Sequence, residues 1–234
     1  MTVRVLGDAV TRDRRSDAPA LRAGTREYDY RRFCTTAWKT GNLLRNEGVR
    51  SGMTVAVADD SAPEAVLGFY GAALLGAVVG FGPDVLGERT KALVVPTADL
   101  DDYDAGPRTR RVGYGSEPAD PSVAYFERDV WSENPTEPPD RVDSEDDLLR
   151  TPDGTRSHGE VLDAARAVAD EWGLEPGESV AVRAPFARPG TVAAGLVAPV
   201  LAGAVVLLPD EDDEGDYAVG EGGPEPAVDP DAVL

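Results

Sequence analysis

Cysteine and histidine each occur once in the 234 residues, at Cys34 and His158, and lysine occurs only at Lys39 and Lys91. A single cysteine cannot close an intrachain disulfide or supply a cysteine cluster for a metal. A single histidine leaves a histidine-based zinc site short of ligands. Long apolar runs are missing too: no window holds a clean stretch of apolar residues long enough to span a bilayer. The opening MTVRVLGDAV lacks the charged start and long apolar segment of a secretory signal. The expectation is a soluble, cytoplasmic protein with no membrane partner. No basic stripe is present, which argues against nucleic acid as a partner.

Acid is what the chain has in excess. It carries 43 Asp and Glu against 23 Lys and Arg, for a formal charge of −20. With lysine at two positions, 21 of the 23 basic residues are arginine. The acids are spread along the chain and not gathered into one block, which favours a surface adapted to molar salt over a docking patch for a basic partner. At about 1 M salt the Debye length falls to roughly 3 Å, so such a surface no longer repels itself.

One pattern occurs twice. The first copy contains Thr25-Arg26, then Gly48, Gly52 and Val55-Ala56-Val57, then Gly76-Ala77-Val78-Val79. The second contains Thr155-Arg156, then Gly173, Gly177 and Val180-Ala181-Val182, then Gly203-Ala204-Val205-Val206. Phe33, Ala37, Leu43 and Leu44 recur at near-helical spacing, as do Val161, Leu162, Ala165, Val168, Ala169 and Trp172. Gly48 and Gly173 stand where left-handed helix caps are needed. Ser157 followed by Glu160 forms a capping box. Residues 62–75 and 191–202 read as small-residue helices, and 92–96 as a further strand. The predicted fold is α/β: mainly parallel sheets flanked by helices, with two related strand–helix–strand units and right-handed crossovers. Residues 1–150 form the first unit with a loop-rich insertion, 151–209 the second packed on it, and 210–234 an acidic flexible tail. Within the insertion, short strands are expected near Val112 and over 123–126. Tyr114, Tyr125 and Trp131 either anchor its loops or stack on a ligand. Cys34 reads as a buried helical residue, His158 as a surface residue at a helix start, and Phe186 as core or pocket wall.

These residues carry a resemblance. Arg26-Glu27-Tyr28-Asp29-Tyr30-Arg31-Arg32-Phe33, the turn before Gly52, the Val55–Val57 strand and Leu75-Gly76-Ala77-Val78-Val79 resemble the opening of acyl-CoA synthetases and related adenylate-forming, AMP-binding enzymes. Ser157-His158 resembles the "SH" or "TH" after that family's phosphate loop, and Leu201-Ala202-Gly203-Ala204-Val205 its "LaGA" segment. The resemblance covers nearly the whole chain. It implies the fold of the N-terminal subdomains of those enzymes. It also implies a chemistry: ATP-dependent activation of a carboxylic acid to an acyl-adenylate, then transfer to a thiol.

The resemblance also locates a phosphate site. The family's loop reads T-S-G-T-T-G-x-P-K, in which glycines bring backbone N–H groups to the phosphates and Lys adds charge. Here Thr151, Gly154, Thr155 and Arg156 match it as nucleotide-binding candidates. Arg156 replaces the Lys with a different reach and geometry. Asp153 adds repulsion, and a plain turn ahead of a capped helix accounts equally for the segment. No catalytic residue and no metal ligand is assigned. The family's later elements, including the ribose-binding Asp, the magnesium-supporting Glu and the catalytic Lys, are expected to have no room in this chain. The expectation is a halophilic acyl-CoA synthetase-like pseudoenzyme that binds or regulates, with a protein partner or homodimer and no cofactor. The alternative is an acid–thiol ligase with residual ATP/AMP and Mg chemistry, completed by a separate chain.

Overall fold

The computed structural model of the protein describes residues 3–151, 153–210 and 213–234. The chain opens with the hairpin β1 (Pro19–Ala23) and β2 (Arg26–Asp29), then α1 (Tyr30–Asn46), β3 (Thr54–Val57), α2 (Pro63–Ala73) and β4 (Val78–Phe81). It continues through β5 (Thr90–Pro96), β6 (Arg110–Tyr114), β7 (Ala124–Tyr125) and α3 (Phe126–Ser132). A second hairpin follows, β8 (Asp147–Thr151) and β9 (Gly154–Ser157), leading to α4 (His158–Trp172) and β10 (Ser179–Val182). The next helix is in three parts: α5 (Pro189–Thr191), a π-helical stretch Val192–Val197 and α6 (Ala198–Ala202). Then come β11 (Val205–Leu208), β12 (Tyr217–Val219) and β13 (Ala227–Val228).

These strands form two sheets, in the order β13-β12-β10-β11-β1-β2 and β7-β6-β5-β3-β4-β8-β9. Among the described residues only the two hairpins are antiparallel; the other pairings are parallel. The α/β architecture is therefore as the sequence predicts.

The repeat is visible in backbone detail. The Gly52 N–H donates to the Gly76 carbonyl at 2.8 Å, and the Gly177 N–H to the Gly203 carbonyl at 3.2 Å. Thr54 pairs with Val78 as Ser179 pairs with Val205. Gly48 and Gly173 both take positive φ after their helices, at +89° and +62°. Asp29 caps α1 by accepting from the Arg32 N–H, and Ser157 caps α4 by accepting from the Glu160 N–H. Counting back from these caps aligns Thr25-Arg26 with Asp153-Gly154. The sequence match of Thr25-Arg26 to Thr155-Arg156 is thus two residues out of register, because side-chain identity there does not report hairpin geometry.

The two units exchange their hairpins. β1 lies parallel to β11, with Leu21 opposite Val206, while β8 lies parallel to β4, with Leu149 opposite Val79. Each sheet is completed by the other unit's first strands. The expected boundary at 150/151 consequently falls inside β8. The tail from 210, expected to be flexible, supplies β12 and β13 to the first sheet. Ala218 and Val219 are apolar enough to be buried there, and the Arg183–Glu225 ion pair ties the segment down at 2.6 Å.

α2 is buried along its whole length because it touches β3, β4 and β5 of one sheet and β1 of the other. It crosses α1 where Gly41 faces Gly71. A Cβ on Gly71 would lie 2.8 Å from the Gly41 backbone nitrogen, so only glycine permits this approach. Tyr70 donates from its hydroxyl to the Leu196 carbonyl at 2.8 Å, joining α2 to the π-helical stretch. That stretch departs from the continuous helix expected over 191–202. Pro199 lacks an N–H and crowds the preceding turn, and the widened π turn accommodates it. Arg14 donates to the Leu201 carbonyl at 2.9 Å, satisfying an open carbonyl at the end of α6.

Candidate functional site

The matched phosphate residues sit on the β8–β9 hairpin at the edge of the seven-stranded sheet. Leu148 and Leu149 are buried and anchor it. The register pairs Thr151 with Gly154 and Arg150 with Thr155. Gly154 is at φ +137°, a conformation other residues avoid, and a Cβ there would meet nothing within 4 Å. The glycine therefore serves the turn, in open space.

The polar side chains of this turn are engaged locally. The Thr151 hydroxyl donates to the Gly154 carbonyl at 3.2 Å. The Thr155 hydroxyl donates to Asp147 Oδ1 at 2.7 Å. Arg156 donates from Nη1 to the Thr155 carbonyl at 3.3 Å. Ser157 and Glu160 form the full capping box, with Glu160 Oε2 accepting from the Ser157 N–H at 2.7 Å. That bond lowers the Glu160 pKa. The structure thus brings the four candidates together on one hairpin, with Asp147 among them. The Thr151 and Thr155 hydroxyls are turned onto the hairpin itself, and Arg156 gives it one Nη1 donor.

His158 departs from its expected surface position. It is fully buried, and its Nδ1 accepts the Leu6 N–H at 3.1 Å. The neutral ring then carries its proton on Nε2, which has no partner among the described residues. Burial pushes the imidazole pKa down to about 4. The cause is the N-terminal segment: Leu6, Ala9 and Val10 are buried and cover the start of α4. Phe186 is core, stacked edge-on against Phe81 at 5.4 Å, with its N–H donating to Asp59 Oδ1 at 2.6 Å. Cys34 is buried on α1, and its thiol pKa is raised to about 12 by burial.

Neither a family model nor a curated protein matches the sequence. Solved structures do match the fold. An anthranilate CoA ligase, AuaEII, solved in complex with anthranoyl-AMP, superposes with a TM-score of 0.80 at 19% identity over 92% of this chain and 49% of its own. A benzoate CoA ligase from Burkholderia xenovorans LB400 gives 0.76 at 15% identity, over 92% of this chain and 50% of its own. The N-terminal domain of FACL13 from Mycobacterium tuberculosis gives 0.74 at 16% identity, over 94% and 63%. The fold is that of the N-terminal part of the adenylate-forming CoA ligases. The chain spans about half the length of the two full CoA ligases. Among the described residues, no helix is long and apolar enough to cross a membrane, and no cluster of His, Cys, Asp and Glu is arranged to hold a metal.

Within this ligase-like fold, sequence reasoning missed α3. The segment around it is rich in Asp and Pro and reads as loop, yet Phe126–Ser132 is helical and presses Phe126 and Val130 inward. Tyr114 anchors this region as expected, buried with its hydroxyl donating to Asp60 Oδ2 at 2.7 Å. Trp131 does not anchor it, being 82% exposed. The available signal was the pair Phe126 and Val130, four residues apart, with Glu127 and Asp129 in the first turn.

Proposed function

We propose that this chain is a CoA-ligase-like binding or regulatory protein that does not adenylate a carboxylate by itself. The observation that supports this reading is the β8–β9 hairpin: Thr151 and Thr155 spend their hydroxyl donors locally, Arg156 turns Nη1 back onto the Thr155 carbonyl, and Asp147 and Asp153 add negative charge. A phosphate cradle needs backbone and cationic donors free to converge on the anion. The test is carboxylate-dependent exchange of labelled pyrophosphate into ATP, with Mg²⁺, in molar KCl, across acetate to long-chain acids. Background exchange is expected. Exchange above background that is lost in Arg156→Ala would show a working site and overturn the reading.

A second reading is an acid–thiol ligase completed by a separate chain. It rests on the extent of the match, about half of a full CoA ligase. Exchange that appears only on adding the C-terminal half of a CoA ligase would favour it.

The charge of −20 supports a salt-adapted surface. Unscreened carboxylates oppose compaction, so the thermal midpoint should rise between low and molar KCl. A flat or falling midpoint would remove that part of the proposal.

A further inference from the structure

We propose that the groove between α1 and α3 is a binding site for a small aromatic monoanion bearing one hydrogen-bond donor. The groove has no lining residue from the β8–β9 hairpin, so its ligand is independent of any nucleotide there. Its volume is about 490 Å³, within the range of small-molecule sites.

The charge of the groove is the first observation. Its lining includes Arg15, Arg31, Arg32 and Lys39 against Asp29, Glu64 and Glu127. A chain of net charge −20 thus gathers here more cations than acids, including one of its two lysines. Two of the three acids are already committed. Asp29 caps α1, and the buried Glu64 is paired with Arg26 at 2.6 Å; of the cations, Arg31 is paired with Asp17 at 2.9 Å, which leaves Arg15, Arg32 and Lys39 without an acidic partner among the described residues. Arg31, Thr35 and Lys39 recur every four residues, so they lie along one stripe of α1 with steps of about 6 Å.

The second observation is unmet hydrogen bonding. Arg15 Nε, Thr35 Oγ1 and Glu127 Oε2 are buried without a partner among the described residues, and all three belong to residues lining this groove. An unpartnered buried polar atom is costly, and a bound group that reached it would relieve that cost. Arg15 and Thr35 offer donors, which calls for an anion. Glu127 already accepts the Gly115 N–H through Oε1 at 2.7 Å, so Oε2 calls for a second donor.

The third observation is the aromatic wall. Trp131 is the one large hydrophobic side chain exposed among the described residues. Lys39 holds it in place, donating to the Trp131 carbonyl at 2.6 Å with Nζ 5.2 Å from the ring centroid. Tyr28 lines the same groove beneath the Arg32 guanidinium, 4.2 Å from its ring centroid. With the Tyr28 face covered by Arg32, the exposed Trp131 ring is the surface on which a flat apolar body would stack, its anion toward Arg15 and Thr35 and its donor toward Glu127.

The probe is para-hydroxyphenylacetate, with para-hydroxyphenylacetamide and phenylacetate as comparators. Binding to the whole chain is followed by ligand-observed NMR and tryptophan fluorescence. Saturable binding with a Kd at or below about 1 mM is expected for a ligand of this size. The amide should bind at least about tenfold more weakly, as should the acid to Arg15→Met, since each removes a charge-assisted hydrogen bond. Glu127→Gln should narrow the preference for the hydroxylated acid over phenylacetate. Trp131→Ala, at an exposed position that leaves folding intact, should abolish the NMR signal of binding. Equal affinity for acid and amide, unchanged affinity in Trp131→Ala, or no saturable binding of the acid would overturn the proposal.

Discussion

The hairpins β1–β2 and β8–β9 are built alike and used differently. Both close a short turn, run into a capped helix and dock parallel on the strand that ends the other copy of the strand–helix–strand repeat. The second is where the resemblance places a phosphate site, yet its threonine hydroxyls and Arg156 Nη1 bond within the hairpin. The first leads into a groove with cations, an aromatic wall and three unpartnered buried atoms. A shared frame therefore does not carry shared chemistry. The side chains decide which copy can grip a ligand.

The largest expected effect tests how the two sheets hold their outer strands. In one sheet, β5 beside β3 buries Ala92, Leu93, Val94 and Val95. In the other, the corresponding β12 is short, and the nearby Arg183–Glu225 pair has side chains only 12% and 2% exposed. Arg183→Met strands the Glu225 carboxylate in a buried site and should cost on the order of 3 kcal/mol in denaturant unfolding. A cost below about 1 kcal/mol would show that apolar packing holds both edges equally.

A smaller effect separates the residues after the two caps. Tyr30 and His158 are both buried at the first position of their helices. Tyr30 donates from its hydroxyl to the Ala204 carbonyl at 2.7 Å and does not titrate near neutrality. His158 has a folded pKa near 4, below the ordinary 6.5. The unfolded chain therefore binds the proton first as pH falls. The stability contributed by the neutral ring is complete above about pH 6.5 and is lost toward pH 4, up to about 3 kcal/mol. Carboxylates titrate in the same window, so the informative quantity is the difference from His158→Gln, which keeps an acceptor for the Leu6 N–H. Parallel stability–pH curves for the two proteins would sink this assignment.

The smallest effect concerns the caps themselves. Asp29→Ala and Ser157→Ala should each lower stability by about 1 kcal/mol. Ser157→Ala also breaks the reciprocal Glu160 bond. A much larger loss at Asp29 would mean that this cap also organises the groove beside it.

The elements with a strong local signal were legible in the sequence. Periodicity in α1 and α4, the Ser157–Glu160 box and the two Val-Ala-Val strands each depend on residues close in the chain. So did the resemblance that located the candidate hairpin. What could not be read depends on distant partners. The hairpin exchange is a choice between two similar strand edges. The burial of His158 depends on Leu6, 152 residues away. The strands after residue 210 form because β10 offers an edge, although their own sequence is acidic and rich in Gly and Pro. The short α3 was hidden by the composition around it.

The exchange has a consequence for a chain emerging from the ribosome. Leu21 is made early, but its parallel partner Val206 follows 185 residues later. At roughly 5–20 residues per second, β1 waits on the order of 10–40 s for the strand it must lie beside. During that interval an unpaired strand edge is open to any other nascent strand, including that of a neighbouring copy. Slow synthesis or a shortage of chaperones should therefore harm this protein through its first hairpin before any other part. Crowded polysomes are where the damage would first show.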